Sequence, residues 1–148
     1  MYLLDTNVIS RTSPVASTDW HRVRDWIENF GESSYVSVIS LGELQYGAAR
    51  LTEKGAHRKA DELYGWVESI AALFHDRLLP VDLQIARRTG EFLARAEFAG
   101  HKPGFEDACI AATAALHRLI VVTHNIRHFE VFGVRFQEPA ASGTEGGA

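Results

Sequence analysis

Three carboxylates in this 148-residue chain stand where a charge needs a reason. Asp5 closes the apolar run of MYLLDTN, Glu43 sits in SLGEL, and Asp107 follows Glu106 in GFEDACIAA. Each has a local explanation. Asp5 is placed to cap the next helix, and Ser40 with Glu43 matches the Ser-x-x-Glu capping box. Glu106 and Asp107 fall in a first helical turn, where the macrodipole favours negative charge. Each also follows a segment that would carry it to one end of a sheet. Two carboxylates gathered about 4 Å apart repel by about 4 kcal/mol at an effective dielectric of about 20, so a cation must offset them. Oxygen ligands without a Cys/His set suit Mg²⁺ or Mn²⁺, which bind a few carboxylates and keep waters for a substrate phosphate to replace. One or two such ions would activate a water and neutralise the leaving oxygen in phosphodiester cleavage.

Short apolar strands alternating with helices must position these groups. Residues 2–4, SYVSV, RLLPVD, LIVVT and VRF read as strands. Thr6 to Thr12 begins a short helix that ends before Pro14, and STDWHRVRDWIENFG carries Trp20, Val23, Trp26, Ile27 and Phe30 at helical spacing before Gly31. Further helices are expected after Ser40, from about Ala56 to Phe74, over 83–99 and through FEDACIAATAALHR. This alternation indicates an α/β fold with a central, mainly parallel sheet sandwiched by helices. In such sheets sites form beyond the carboxyl ends of the strands. Asp5 follows the first strand, and THN follows LIVV.

Composition narrows the alternatives. The chain has room for one domain, taken as residues 1–137, with 138–148 reading as a disordered tail. No apolar run approaches a membrane span and no signal-peptide pattern opens the chain, so a cytoplasmic location without membrane attachment is expected. The lone Cys109, among small apolar residues, reads as a buried, inert thiol. A net charge of -4 argues against gripping duplex nucleic acid by bulk charge. Twelve arginines against three lysines still leave room for local patches suited to forked phosphate contacts.

The motifs LLDTNVIS, VSVISLGELQYGA, FEDACIAATA and LIVVTHNIRHFEVFGV, in this order and at these separations, resemble those of PIN-domain proteins, in particular VapC-like toxins of bacterial toxin–antitoxin pairs. The resemblance runs from Asp5 to about Phe136. It implies a Mg²⁺- or Mn²⁺-dependent endoribonuclease whose acidic metal ligands are Asp5, Glu43 and Asp107, acting on RNA as a homodimer restrained by a cognate antitoxin in the active-site groove. The family often has an aspartate where this chain has Asn125, an uncharged side chain that implies a weaker second metal position. Thr123 falls where the family holds a water or carboxylate through a hydroxyl, and Thr6 and Asn7 match the pair after the first aspartate.

Rival chemistries find less support. His124 and His128 are four apart but lack the glutamate of His-Glu-x-x-His, and no compact four-ligand zinc set exists. A contact with phosphate is the expected role for either His. Arg11, Arg22, Arg24 and Arg127 are further phosphate candidates. Phosphate-cradling glycine motifs and a nucleophile elbow are absent from the sequence. The reading from another class is a catalytically weak or inactive PIN-like module that binds RNA or protein, with Asn125 as its best support.

Overall fold

The computed structural model describes residues 1–15 and 21–139. Trp20 and the tail from residue 140 lie outside them, as do the side chains of Arg22, Val23 and Arg24. Five strands and seven α-helices alternate among the described residues. They are β1 (Tyr2–Leu4), α1 (Thr6–Ser10), α2 (His21–Phe30), β2 (Ser34–Ser37), α3 (Val38–Glu53), α4 (His57–Leu73), β3 (Leu78–Leu79), α5 (Leu83–Phe98), α6 (Phe105–His117), β4 (Ile120–Val122), α7 (Ile126–Glu130) and β5 (Phe136–Gln137).

Every strand pair is parallel, in the order β3-β2-β1-β4-β5, so the expected α/β sandwich is what forms. The two sides of a strand alternate along it, and β1 and β4 use that alternation to feed two separate cores. Leu3 and Val121 join a cluster with Ile85, Phe92 and Ile110 from α5 and α6. Leu4 and Val122 join Val8, Ile9, Trp26, Leu44, Val67 and Phe74 from α1 to α4 and the residue after α4. Cys109 is buried in the first core, and burial raises its thiol pKa, as befits an inert cysteine.

Local chemistry sets where elements begin and end. Asp82 caps α5 by accepting from the Ile85 N–H at 2.9 Å. The RLLPVD strand shrinks to Leu78–Leu79 because Pro80 has no N–H for a ladder bond. The expected Ser40–Glu43 capping box does not form. The cap of α3 is Ser37, one turn earlier, whose hydroxyl accepts from the Ile39 N–H at 3.1 Å. The helix therefore starts directly at the end of β2, and Ser40 is buried inside its first turn.

Candidate active site

Asp5 leaves β1 as the cap of α1, and capping leaves one of its oxygens for another partner. Oδ1 accepts from the Thr6 N–H at 2.8 Å, and Oδ2 accepts from the Thr123 hydroxyl at 2.8 Å. The residue is 4 % exposed. Thr123 follows β4, which lies beside β1 in the sheet, so adjacency of the two strands brings residues 118 positions apart into contact. The hydroxyl that donates to Asp5 accepts from the Asn125 N–H at 2.9 Å and, at 3.5 Å, from Nδ2 of Asn7. Asn7 Oδ1 in turn accepts from the His124 N–H at 3.3 Å. Asn7 thus ties the turn after β1 to the turn after β4.

Glu43 arrives from the second turn of α3. Thr6 Oγ1 lies 2.7 Å from Glu43 Oε1 and 2.9 Å from Ser40 Oγ. A hydroxyl has one proton, and the charged acceptor claims it. Ser40 consequently donates to Thr6, and its role is to set the hydroxyl that holds Glu43. Asp107, in the first turn of α6, meets His128 of α7, with Nδ1 to Oδ2 at 2.8 Å.

Asp5, Thr6, Asn7, Glu43, Glu106, Asp107, Asn125 and His128 line one open pocket of about 400 Å³ beyond the carboxyl ends of β1 and β4. Thr123 is fully buried behind Asp5. All the residues expected at the site are therefore brought together there. Asn125 is exposed and contributes no side-chain cap to α7. Two further residues reach the pocket in ways their sequence settings do not announce. Glu106, which looks like an ordinary acid at the start of α6, is one of its walls. His128, a phosphate candidate by sequence, instead binds Asp107, a pairing that depends on how α6 packs on α7. Arg127 is exposed beside them in a small adjoining pocket, while Arg11 is half-buried after α1.

Crowding of like charges in a dry place shows in the proton affinities. Burial raises the Asp5 carboxyl from 3.8 to about 6; the Thr123 hydroxyl opposes this, and the charge of Asp107 adds to it. Burial also raises Glu43, against the Thr6 hydroxyl and with the charges of Asp5, Asp107 and Glu106. Asp107 is raised by burial first, and the bond to His128 pulls it back. Charges that resist ionising together form a hard, oxygen-only donor set, and such a set fits Mg²⁺ or Mn²⁺. Among the described residues no three His, Cys, Asp or Glu side chains form a ready-made cage. A cation here would complete its shell with water and substrate oxygens, as Mg²⁺ commonly does.

A larger groove of about 960 Å³ adjoins the pocket and shares Thr6, Glu43 and Glu106 with it. Its walls include Val38, Tyr46, Trp66 and Phe105, of which Val38, Tyr46 and Phe105 are exposed. Trp66 thus borders a groove, whereas Trp26 is 2 % exposed in the core. Among the described residues no helix is long and apolar enough to cross a membrane.

Residues 2–133 match the model of the PIN domain family. The chain is 35% identical over 140 residues to the VapC ribonuclease Y4jK of Sinorhizobium fredii, covering 94% of this chain and 97% of that one. It is 36% identical over 131 residues to the toxin FitB of Neisseria gonorrhoeae, covering 87% and 91% respectively. The crystal structure of FitAcB from Neisseria gonorrhoeae superposes with a TM-score of 0.80 at 35% identity, covering 94% of this chain and 98% of that one.

Proposed function

The chain belongs to the PIN-domain family, and from that premise we propose that it is a metal-dependent endoribonuclease, the toxin of a toxin–antitoxin pair. The observation that carries this reading is the pocket in which Asp5, Glu43 and Asp107 meet, each with a raised proton affinity. The names of the VapC ribonuclease and the FitB toxin support the reaction class and the toxic role.

Asp5, Asp107 and Glu43 would hold Mg²⁺ or Mn²⁺, which supplies a water acidified for attack and charge to stabilise the leaving oxygen. The protein's own groups do the positioning. Thr123 fixes one Asp5 oxygen from behind while the Thr6 N–H fixes the other, so the carboxylate cannot swing away from the pocket. Thr6 holds Glu43 from the side, and Ser40 fixes the orientation of Thr6. His128 holds Asp107 from the exposed rim of the pocket. Asn125 offers an amide at the pocket rim where a carboxylate would add charge, which makes a second metal position weaker.

The apolar groove beside Glu43 has the volume and lining to take an amphipathic helix of the cognate antitoxin, which would cover the pocket it adjoins. Leu83 and Phe98, exposed at the two ends of α5, supply apolar surface for a homodimer.

Incubating the purified chain with RNA and Mg²⁺ or Mn²⁺ tests the reading. Cleavage that EDTA stops and that Asp5→Asn lacks is expected. Equal, metal-independent RNA binding by both proteins without cleavage would replace the enzyme with a binding module. Co-expression with the adjacent open reading frame should yield a complex, and recovery of free chain alone would count against the antitoxin.

A further inference from the structure

At the edge of the sheet opposite the carboxylates, four arginines line one cleft of about 450 Å³. Arg88 and Arg95 come from α5, Arg118 from the turn before β4, and Arg135 from the turn before β5. A third of the chain's twelve arginines thus meet in one place on a protein whose net charge is -4. Among the described residues no acid and no lysine lines the cleft.

Three of the four guanidinium groups, those of Arg88, Arg95 and Arg135, are held in place. Phe92 and Phe132 stack with centroids 5.7 Å apart. Arg88 and Arg95 lie over the Phe92 ring at 5.9 and 5.5 Å. Both rings are buried, and Phe92, backed by Phe132, serves as a platform for the two cations. Arg135 Nη2 donates to the Arg118 carbonyl at 3.1 Å, and Arg118 has a φ of 56°. That left-handed turn is ordinarily a glycine's, and here it carries a guanidinium. Neutralising a helix end accounts for Arg118 after α6 and, taken singly, for Arg95 in the last turn of α5. It does not account for Arg88, in the first half of α5, nor for four arginines lining one cleft. Arg88 has a surface partner in Glu91 at 3.1 Å, with 41 % of its side chain still exposed.

We infer that this cleft is a second RNA-binding site, which takes phosphates of the sugar–phosphate backbone away from the point of cleavage. Arginine forks match phosphate oxygens in pairs, and several forks preset around one cleft suit a chain of phosphates better than a single anion. The inference rests on the ribonuclease reading and adds a property of the substrate. RNA that reaches both the C-terminal edge of β1 and β4 and the N-terminal edge of β4 and β5 must be folded or long enough to pass around the domain. Recognition would then follow RNA shape as well as the bases at the cut.

The test uses the full chain carrying Asp5→Asn, in EDTA, so that binding of a labelled RNA hairpin is read without cleavage. Arg95→Gln with Arg135→Gln should weaken binding about tenfold at low salt. It should also reduce the slope of log K against log salt by about 0.7 for each single-strand phosphate the cleft no longer neutralises. Arg95→Lys with Arg135→Lys, which keeps the charge, should retain most of the salt slope, and melting curves should show all variants folded. Unchanged affinity and slope in the double glutamine variant would overturn the inference. So would loss of binding to a polyglutamate peptide with RNA binding intact, which would assign the cleft to an acidic protein. The same arginine variants in the chain with Asp5 restored separate the two proposals. RNA cleavage by the parent with hairpin binding indifferent to Arg95 and Arg135 removes only the second site, whereas absence of cleavage by the parent removes the ribonuclease reading.

Discussion

The two edges of one sheet hold opposite charges in opposite ways. At the carboxyl edge, the carboxyl groups of Asp5, Glu43 and Asp107 are buried or half-buried, each held by a hydroxyl or an imidazole, and all resist ionising. At the amino edge, the guanidinium groups of Arg88 and Arg95 lie over the buried Phe92 ring, beside Arg118 and Arg135 in an open cleft. The difference lies in what each edge does to stability. Desolvated carboxylates weigh on the fold as long as no cation offsets them, whereas surface arginines add little strain and little stability.

Asp5→Asn breaks the contrast most sharply. The amide keeps the shape and can still accept from Thr6 or Thr123, but it loses the charge that would hold a metal. RNA cleavage should fall by more than about 100-fold, measured by initial rates at saturating Mg²⁺. The same variant should make the metal-free protein more stable. The Asp5 carboxyl binds its proton more tightly in the folded chain, at about 6 against 3.8. Between those values the native state holds more protons than the unfolded one, so stability rises as pH falls through the window and the full penalty is present above it. The displacement corresponds to about 3 kcal/mol. In EDTA, the parent's melting temperature should climb from pH 7 toward pH 4 and the variant's should stay nearer level; parallel curves would remove the buried-charge account.

Thr123→Val tests the hydroxyl behind Asp5. Losing one buried charged hydrogen bond should lower stability by about 1.5 to 3 kcal/mol at pH 7 and push the acid limb of the rate profile to higher pH. His128→Gln, at a more exposed pair, should leave the melting temperature nearly unchanged and weaken Mg²⁺ binding about tenfold, read by titrating the metal. At the other edge, Arg88→Gln removes an exposed ion pair with Glu91 and should change stability by less than about 0.5 kcal/mol. A loss above about 1 kcal/mol would make the arginine edge a structural device.

The same contrast explains what was legible in the sequence. Asp5, Glu43, Thr123 and Asn125 each come after a strand, and a parallel sheet sends those strand ends to one side, so their convergence could be read from order. Asp107 opens α6, with α5 rather than a strand before it, and its place is implied by the family resemblance of FEDACIAATA. The partners of those groups could not be read. Ser40 matches a capping box by spacing, yet the chain turns into α3 at Ser37, one turn sooner, and frees Ser40 to bind Thr6. His128 meets Asp107 through the packing of α7 on α6. The arginine cleft draws on three separated segments, with no periodicity to link them.

The central place of β1 has a consequence for synthesis. Asp5 is made with β1, but its Thr123 partner, just after β4, comes 118 positions later. Asp107 and His128 also belong to the last part of the domain. A nascent chain still short of β4 lacks Thr123, Asn125 and His128, so the carboxylate pocket is incomplete until that part of the chain has emerged. Whatever chemistry the pocket performs can begin only when β4 slots in beside β1.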